Sequence, residues 1–415
     1  MNVVTFGCRL NAYESDVIEG FLKKYDLSDL IVVNTCSVTS EAERQAMQKI
    51  RQLKRKFPKM RIMVTGCSVH MDPLKFPRDV VDFVVGNDDK LRDDTYKKIA
   101  EETYPRVVVS ELLLTRELPE NFVYPVVKKV RTYLPIQTGC NYECTFCSVR
   151  KTRGKAKSFK IENIIKQAKL FAKSYRELVL TGINISMFGF DMDLKLSLAD
   201  LVKILIEEVP EMEFISLSSL DPFVVGRDLI DLYGTEDKLL PHVHLSIQSG
   251  DNDVLKLMKR RHSREKVIDV CKRLKSINQN VRIGADIITG FPSETDEAFM
   301  NSLRLVDDAD LDFLHIFPFS RRPGTEAYDM DNQVDKKISK QRAKLLREKI
   351  DDKFHKYLLD MVGKEMEFFV ENKMHGRTMN YVDVKPFLKP FSEENGILKG
   401  VVKSVDEGML VADYV

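Results

Sequence analysis

Cys140, Cys144 and Cys147 stand in a C-x3-C-x2-C spacing, close enough along the chain to converge on one centre. Three thiolates are one short of the four that close a structural zinc site or saturate a 4Fe-4S cluster. A cluster held this way keeps one iron without a protein ligand, and that iron can bind a cofactor or a substrate. The alternative is a zinc site that borrows Cys271 or a histidine such as His242 or His244, although structural zinc favours paired C-x2-C knuckles. A second set, Cys8, Cys36 and Cys67, is scattered in sequence. Each of its members directly follows a short apolar run: Asn2–Phe6, Leu30–Val33 and Ile62–Thr65. The alternative for this set is three packed thiols acting as small hydrophobes.

The elements that must position these groups follow a strand–helix rhythm. The three apolar runs read as strands, with Val81–Val85 a fourth. Asn11-Ala-Tyr-Glu14 reads as a capping box opening a helix to about Tyr25, and Ser40-Glu-Ala-Glu43 caps another to about Lys56. Apolar strands alternating with helices imply a parallel sheet covered on both faces. Cys8, Cys36 and Cys67 then all lie at carboxyl ends of parallel strands, where open α/β sheets bind ligands. Neighbouring strands run about 4.8 Å apart, so three such thiols can meet. This first domain is expected over residues 1–118, followed by a connector containing Pro119 and Pro125.

From about Val126 the period lengthens. Strands are expected at Tyr133–Gln137, Leu178–Thr181, Phe214–Ser218, Val243–Gln248, Arg282–Ile288 and Leu314–Phe319. Helices between them include Ile161–Ser174, Leu198–Glu208 and Arg264–Ile277. Six β/α units over 126–355 suggest a partial parallel (β/α)6 barrel, with Cys140 just past its first strand, at the end where such barrels hold active sites. Cys271 falls inside a helix and reads as core. A charged helix, about Lys337–Met361, closes the unit. The tail, 362–415, breaks into short β runs at Glu367–Val370, Thr378–Val384, Ile397–Val402 and Met409–Ala412, expected to form a small all-β, OB-like barrel. The fold class is therefore α/β with a β appendix.

The chain has 415 residues, 43% hydrophobic and 31% charged, enough core material for two or three domains. Its formal net charge of +2 creates no global field, so a polyanionic partner must meet a local patch. No apolar run reaches the 18 or so residues of a membrane span, and the N-terminus lacks a secretory pattern. A cytoplasmic location is expected, where seven cysteines favour metal ligation over disulfides.

The spacing at Cys140 resembles the signature of radical S-adenosylmethionine (SAM) enzymes. The resemblance implies that SAM chelates the fourth iron and that one-electron reduction releases a 5′-deoxyadenosyl radical. Polar residues recur at the other strand ends: Thr181-Gly-Ile-Asn184, Ser218-Ser-Leu-Asp221, Gln248-Ser-Gly250, and Asp286 followed by Thr289-Gly-Phe-Pro292. Singly they read as turn and cap residues; as a set they look like a SAM and substrate pocket. Thr181-Gly182 is similar to the element that receives the methionine amino group. Ser218 and Gln248 are candidates for the ribose and carboxylate, and Asp286 joins them as a cofactor contact.

The whole layout resembles the radical SAM methylthiotransferases. The motifs are Thr5-Phe-Gly-Cys8-Arg-Leu-Asn11, Asn34-Thr-Cys36-Ser-Val-Thr39, Thr65-Gly-Cys67, Gln137-Thr-Gly-Cys140, Gln248-Ser-Gly250 and Phe317-Pro-Phe-Ser-Arg-Arg-Pro-Gly-Thr325. The β module looks like the family's RNA-engaging TRAM module. The resemblance implies two 4Fe-4S clusters, the second delivering sulfur that one SAM methylates while another supplies the radical. It also implies an electron donor such as flavodoxin or ferredoxin. Members act on carbon 2 of adenosine 37 in tRNA, in two branches, or on a ribosomal-protein aspartate. The stretch Gly7–Glu14 looks closest to the branch acting on threonylcarbamoyladenosine. The isopentenyladenosine branch and the ribosomal protein are the alternatives, and a non-catalytic iron–sulfur RNA-binding protein is the alternative of another class. One departure is Cys147-Ser-Val-Arg150-Lys-Thr-Arg-Gly154, where the family often places apolar residues and a proline.

That departure is basic. Arg150, Lys151, Arg153, Lys155, Lys157 and Lys160 run on with no acidic residue among them. Such a run is either a solvated face or, beside the cluster, a loop for the phosphates of a tRNA anticodon arm. Arg260, Arg261, Arg321 and Arg322 extend it. From Lys356 to Val415 the tail holds 8 Lys/Arg against 10 Asp/Glu. It is no basic clamp, and any grip on RNA must come from Lys373, Arg377 and Lys385, with Tyr381 and Phe387 able to stack on bases; the alternative is that both rings are core of the small barrel, the preferred reading for Phe387.

Overall fold

The structure, a computed structural model, describes residues 2–112, 130–193, 196–392 and 396–414. The expected connector around Pro119 and Pro125 lies outside them. Five parallel strands come first, side by side in chain order: β1 (Val3–Thr5), β2 (Leu30–Thr35), β3 (Arg61–Gly66), β4 (Phe83–Val85) and β5 (Val107–Val108). The sequence pattern anticipates four of them; β5 spans two residues, too few to carry a period. Alternation sends Val3, Val32, Met63 and Val85 to one face, against Val17, Phe21 and Tyr96. It sends Ile31, Val33, Ile62, Val64 and Val84 to the other, against Ile50 and Leu53. Burial on both faces is why β2 is apolar almost throughout.

The first helix, Arg9–Lys24, starts earlier than expected, with Cys8 at its cap and no side-chain cap bond. Asn11 and Glu14 form no capping box because both are buried and engaged elsewhere. Asn11 donates to the Phe6 and Thr35 carbonyls at 2.8 and 3.0 Å, locking the strand ends that carry Cys8 and Cys36. The second helix, Ser40–Lys56, begins where expected, although Thr39 is its cap, accepting from the Ala42 amide at 3.1 Å.

The barrel strands are β6 (Arg131–Pro135), β9 (Glu177–Thr181), β10 (Phe214–Leu217), β11 (His242–Gln248), β12 (Arg282–Thr289) and β13 (Phe313–Pro318). A short antiparallel pair, β7 (Gln137–Thr138) and β8 (Lys157–Ser158), flanks the first cysteine loop. The six parallel strands form two triplets, β6-β9-β10 and β11-β12-β13, joined by single bridges at Ile215–Leu239 and Leu220–Leu245. Val243, Leu245, Ile247, Ile283, Ala285 and Ile287 join the core beneath the outer helices. The alternate set on the same strands, including His244, Ser246, Gln248, Asp286 and His315, therefore faces inward. The lumen is polar.

The long helix Lys336–Asp360 leads into a closed barrel of β14 (Glu365–Asn372), β15 (His375–Thr378), β16 (Asp383–Pro386), β17 (Ile397–Asp406) and β18 (Met409–Tyr414). The run Thr378–Val384 is not one strand: Tyr381 turns it with a φ of 69°. That turn docks the module under the amino ends of the parallel strands. Arg377 binds Glu177 at 2.6 Å, the Tyr381 ring stacks on His242 at 4.1 Å, and Phe369 meets Phe214 edge-on at 5.3 Å. Glu177, His242 and Phe214 each begin a strand, so the module floors the barrel at the end opposite the cysteines. Arg377 and Tyr381 are thus spent on the protein itself instead of facing RNA. Phe387, expected in the small core, is 46% exposed.

Candidate active site

The first cysteine loop is shaped by close backbone approach. Gly139 has a φ of +69°, and a Cβ there would lie 2.0 Å from the Lys155 carbonyl. Only glycine lets the outgoing and returning chains touch. The Gln137 side chain fills the loop, donating to the Thr138 and Gly139 carbonyls at 2.8 and 2.7 Å and accepting from the Asn184 amide at 2.9 Å. It thereby ties the loop to the end of β9, where Gly182 packs so tightly that a Cβ would sit 2.5 Å from the Gln137 carbonyl.

Each sulfur of this set has a donor. Cys140 receives the Tyr142 amide at 3.4 Å and the Asn184 amide group at 3.7 Å; Cys147 receives the Val149 amide at 3.4 Å. Cys144 receives Arg260 at 3.5 Å. Arg260, which reads from sequence as part of a surface patch, has its side chain turned inward, 6% exposed, and also binds Asp221 at 2.9 Å and the Ser246 carbonyl at 2.6 Å. It joins the cysteine loop to the ends of β10 and β11. Donors of this kind stabilise cluster thiolates and tune their potential.

Cys8, Cys36 and Cys67 lie just past β1, β2 and β3, as the strand-end argument requires. They crowd one another: a Cβ on Gly7 would come within 2.9 Å of the Cys36 sulfur, and the charges of Cys8 and Cys67 bear on Cys36. Burial, with those neighbours adding to it, pushes the Cys36 thiol up to about 12; burial likewise pushes Cys147 up to about 12. Sulfurs so placed become thiolates when a cation joins them, so both sets fit an iron–sulfur cluster by chemistry as well as position. Cys271 is fully buried in its helix, as expected of a core residue.

The two sets meet through one residue. Arg153 is 2% exposed, and its Nε donates to the Cys67 sulfur at 3.3 Å. Its guanidinium forms a two-pronged pair with Glu14, at 2.9 Å on the measured prong, and a further bond to Asn11. Lys90, fully buried, binds Glu14 at 2.6 Å from the other side. The phosphate role expected for Arg153 is therefore corrected: its guanidinium is enclosed between the domains. The helices Cys67–Met71 and Val149–Arg153, each at or just after the last cysteine of its set, pack together, and Asn87 bonds the Thr152 carbonyl at 2.8 Å.

Other expected contacts divide. Lys155 is exposed; Arg150 pairs with Glu143 and stays 40% exposed; Lys151, exposed, donates to the Gly324 carbonyl. Arg322 is a correction: it is buried and paired with Glu43 at 2.9 Å. Thr181 and Ser218 lie buried at their strand ends. Gln248 ends β11 after a register shift and adopts a φ of 76°, a strained conformation typical of functional positions. Asp286 is placed lower than these strand-end residues. It lies within β12 below the strand end, its carboxylate held by His244 Nε2 at 3.0 Å and His315 Nδ1 at 3.4 Å. One of its two oxygens, Oδ1, is engaged by both rings. His315 escapes a reading of the sequence because only strand register, which pairs it with Asp286, brings it there.

Residues 134–306 match the radical SAM superfamily, and residues 1–86 match a family described as uncharacterized protein family UPF0004. The fold is similar to a radical SAM methyltransferase, TsrM, of Kitasatospora setae, with a TM-score of 0.56, 12% identity, and coverage of 78% of this chain and 73% of that one. A radical SAM barrel with three free thiols beyond its first strand defines an enzyme class that uses SAM and a 4Fe-4S cluster. Full-length relatives narrow it. The chain is 37% identical to the threonylcarbamoyladenosine tRNA methylthiotransferase MtaB of Rickettsia prowazekii, covering 98% of this chain and 96% of the relative. It is 34% identical to the protein of that name from Bacillus subtilis, over 92% and 88%. It is 31% identical to the tRNA-2-methylthio-N(6)-dimethylallyladenosine synthase of Lachnoclostridium phytofermentans, over 92% and 88%. The chain belongs to the radical SAM methylthiotransferase family.

Proposed function

We propose that this protein adds a methylthio group to carbon 2 of threonylcarbamoyladenosine at position 37 of tRNA. The observation that carries the reading is the pair of thiol triads, one past the first barrel strand and one at three ends of the flanking sheet, in a chain whose full-length relatives bear that name. Cys140, Cys144 and Cys147 would hold the SAM-binding cluster, and Cys8, Cys36 and Cys67 a second. When bound, these groups supply the 5′-deoxyadenosyl radical and the methylated sulfur. The protein's part is to orient them. Gln137 and Gly182 set the first loop, Arg260 fixes it to two strand ends, and Arg153 holds Cys67 while pinning one domain to the other. Thr181, Ser218 and Gln248, at strand ends, are the proposed SAM contacts. Arg150, Lys151 and Lys155 are the proposed phosphate contacts for an anticodon arm, and a small reduced electron carrier is the proposed donor. Among the described residues no helix is long and apolar enough to cross a membrane.

The test uses two cysteine variants reconstituted without oxygen. Replacing Cys140, Cys144 and Cys147 by Ala should halve the iron content and abolish 5′-deoxyadenosine formation. Replacing Cys8, Cys36 and Cys67 should also halve the iron, yet keep SAM cleavage and lose methylthio product. Methylthiolated tRNA from the second variant refutes the sulfur role, and turnover of isopentenyl-tRNA alone moves the chain to the sister branch.

A further inference from the structure

Three side chains in the barrel lumen stand apart from both thiol sets. His244 on β11, Asp286 on β12 and His315 on β13 occupy adjacent inward positions, and their ligand atoms all lie within 4.8 Å of one another. His244 is buried beneath; His315 is uppermost in exposure, its side chain 59% accessible, with Phe317 39% exposed beside it. The carboxylate of Asp286 accepts from both rings. Burial opposes its ionisation, yet these two bonds hold it down to about 2, so it is a standing anion. With Nδ1 of His315 turned to Asp286, the ring is oriented so that Nε2 points away from that carboxylate.

A run of contacts joins β11 to the first triad. The backbone carbonyl of Ser246, two residues beyond His244 on β11, accepts from Arg260, which also donates to the Cys144 sulfur. An adenine with carbon 2 facing the clusters must project its N6 substituent from another corner of the same ring. The threonylcarbamoyl substituent ends in a carboxylate. Arg322 is not the natural partner for it, being buried and paired with Glu43, and Arg150 stands on the surface loop proposed for phosphate.

We propose that His315, oriented by Asp286 and His244, is the subsite for the carboxylate of the threonylcarbamoyl group. This rests on the tRNA substrate proposed above. His315 donates from Nε2 to the incoming carboxylate; Phe317 covers the aliphatic part of the substituent. Asp286 is a positioning residue, because its charge is turned to the far side of the ring.

The experiment compares two tRNAs differing only at the carboxylate: one carrying threonylcarbamoyladenosine, the other its methyl ester. Reconstituted wild-type enzyme and His315→Phe are assayed by nucleoside mass spectrometry for kcat/KM, each normalised to its SAM cleavage without tRNA. Wild type should prefer the acid by about 10- to 100-fold, the range a hydrogen bond to a charged group supplies. In His315→Phe the acid should lose that factor, with the ester turned over about equally well. Asp286→Asn should lie between, with the loss in KM and not in kcat. Unchanged preference for the acid in His315→Phe overturns the subsite while leaving the tRNA reading intact. Failure of wild type to modify the acid-bearing tRNA, with turnover of isopentenyl-tRNA, overturns the underlying reading itself. A stoichiometric divalent ion, detected by elemental analysis beyond the cluster iron and lost with Asp286→Asn, would make the trio a metal site instead.

Discussion

Changing Glu14 to Gln tests the interdomain network most directly. The carboxylate is 2% exposed and sits between Arg153, 2% exposed, and Lys90, fully buried. Its distances are 2.9 Å to Arg153 and 2.6 Å to Lys90. Glutamine keeps the shape and removes the charge, leaving two buried cations with no anion between them. Breaking a buried pair from one side costs about 3–5 kcal/mol. At about 4 °C per kcal/mol for a domain of roughly a hundred residues, the first domain should melt about 12 °C lower or more. Differential scanning calorimetry reads the melt, and iron analysis reads any loss from the proposed second cluster. Adding Arg153→Met to Glu14→Gln should recover part of the loss, because one stranded cation goes too, and that non-additivity is the signature of a true pair. A Glu14→Gln protein melting within about 2 °C of wild type, about half a kcal/mol on the same scale, refutes the reasoning.

The same group fixes an acid limit. Burial works against ionisation, but the charges and hydrogen bonds of Arg153 and Lys90 hold the Glu14 carboxyl below the usual carboxylate range. A depressed carboxylate contributes its full stability above the unfolded value, about 4.3, and loses it as pH falls through the folded value. Acid titration of wild type should therefore show a destabilising limb below about pH 4 that Glu14→Gln lacks.

Changing Arg150, Lys151 and Lys155 together to Ser should flatten the salt dependence of tRNA binding by about one unit of slope for each phosphate left without its cation, measured by filter binding. Arg153→Met should instead lower stability and leave that slope alone. Arg377→Met leaves Glu177 buried without its cation, at a cost of about 3–5 kcal/mol. The β module should then loosen from the barrel, read as faster hydrogen exchange across β14–β18 and the amino end of β9.

The two cysteine triads are legible in the sequence because strand ends are legible. Apolar runs bounded by glycine and polar residues mark where a parallel strand stops, and the thiols follow each stop. The barrel strands can be placed nearly to the residue for the same reason. Partners are not legible. Arg150 and Arg153 belong to one basic run and one helical turn; the structure keeps the first at the surface and encloses the second between Glu14 and Cys67. No periodicity distinguishes them, because the deciding anion lies in another domain. Asn11 and Glu14 fit a capping box by spacing alone, yet tertiary contacts claim both side chains. Tyr381 carries a left-handed φ that no aromatic residue advertises, and that turn decides which face of the β module meets the barrel.

The position of that module constrains how RNA reaches the clusters. Its contacts are to first residues of β9, β10 and β11, whereas the cysteines lie beyond strand ends at the other side. β12 has eight residues, and at about 3.3 Å per residue it separates floor from mouth by about 26 Å. No side chain spans that distance. The exposed basic residues near the first triad, Arg150, Lys151 and Lys155, are thus the ones able to hold the phosphates flanking the reacting base. Exposed Lys373, Met374, Phe387 and Leu388 on the module lie on a part of the fold anchored at the floor. An RNA touching both must run along the barrel's outer wall, so the two contacts are separated by a length of RNA. Loss of the module's grip should then weaken binding without altering which base enters the lumen, because the lumen is lined by β11, β12 and β13 and not by the module's exposed face.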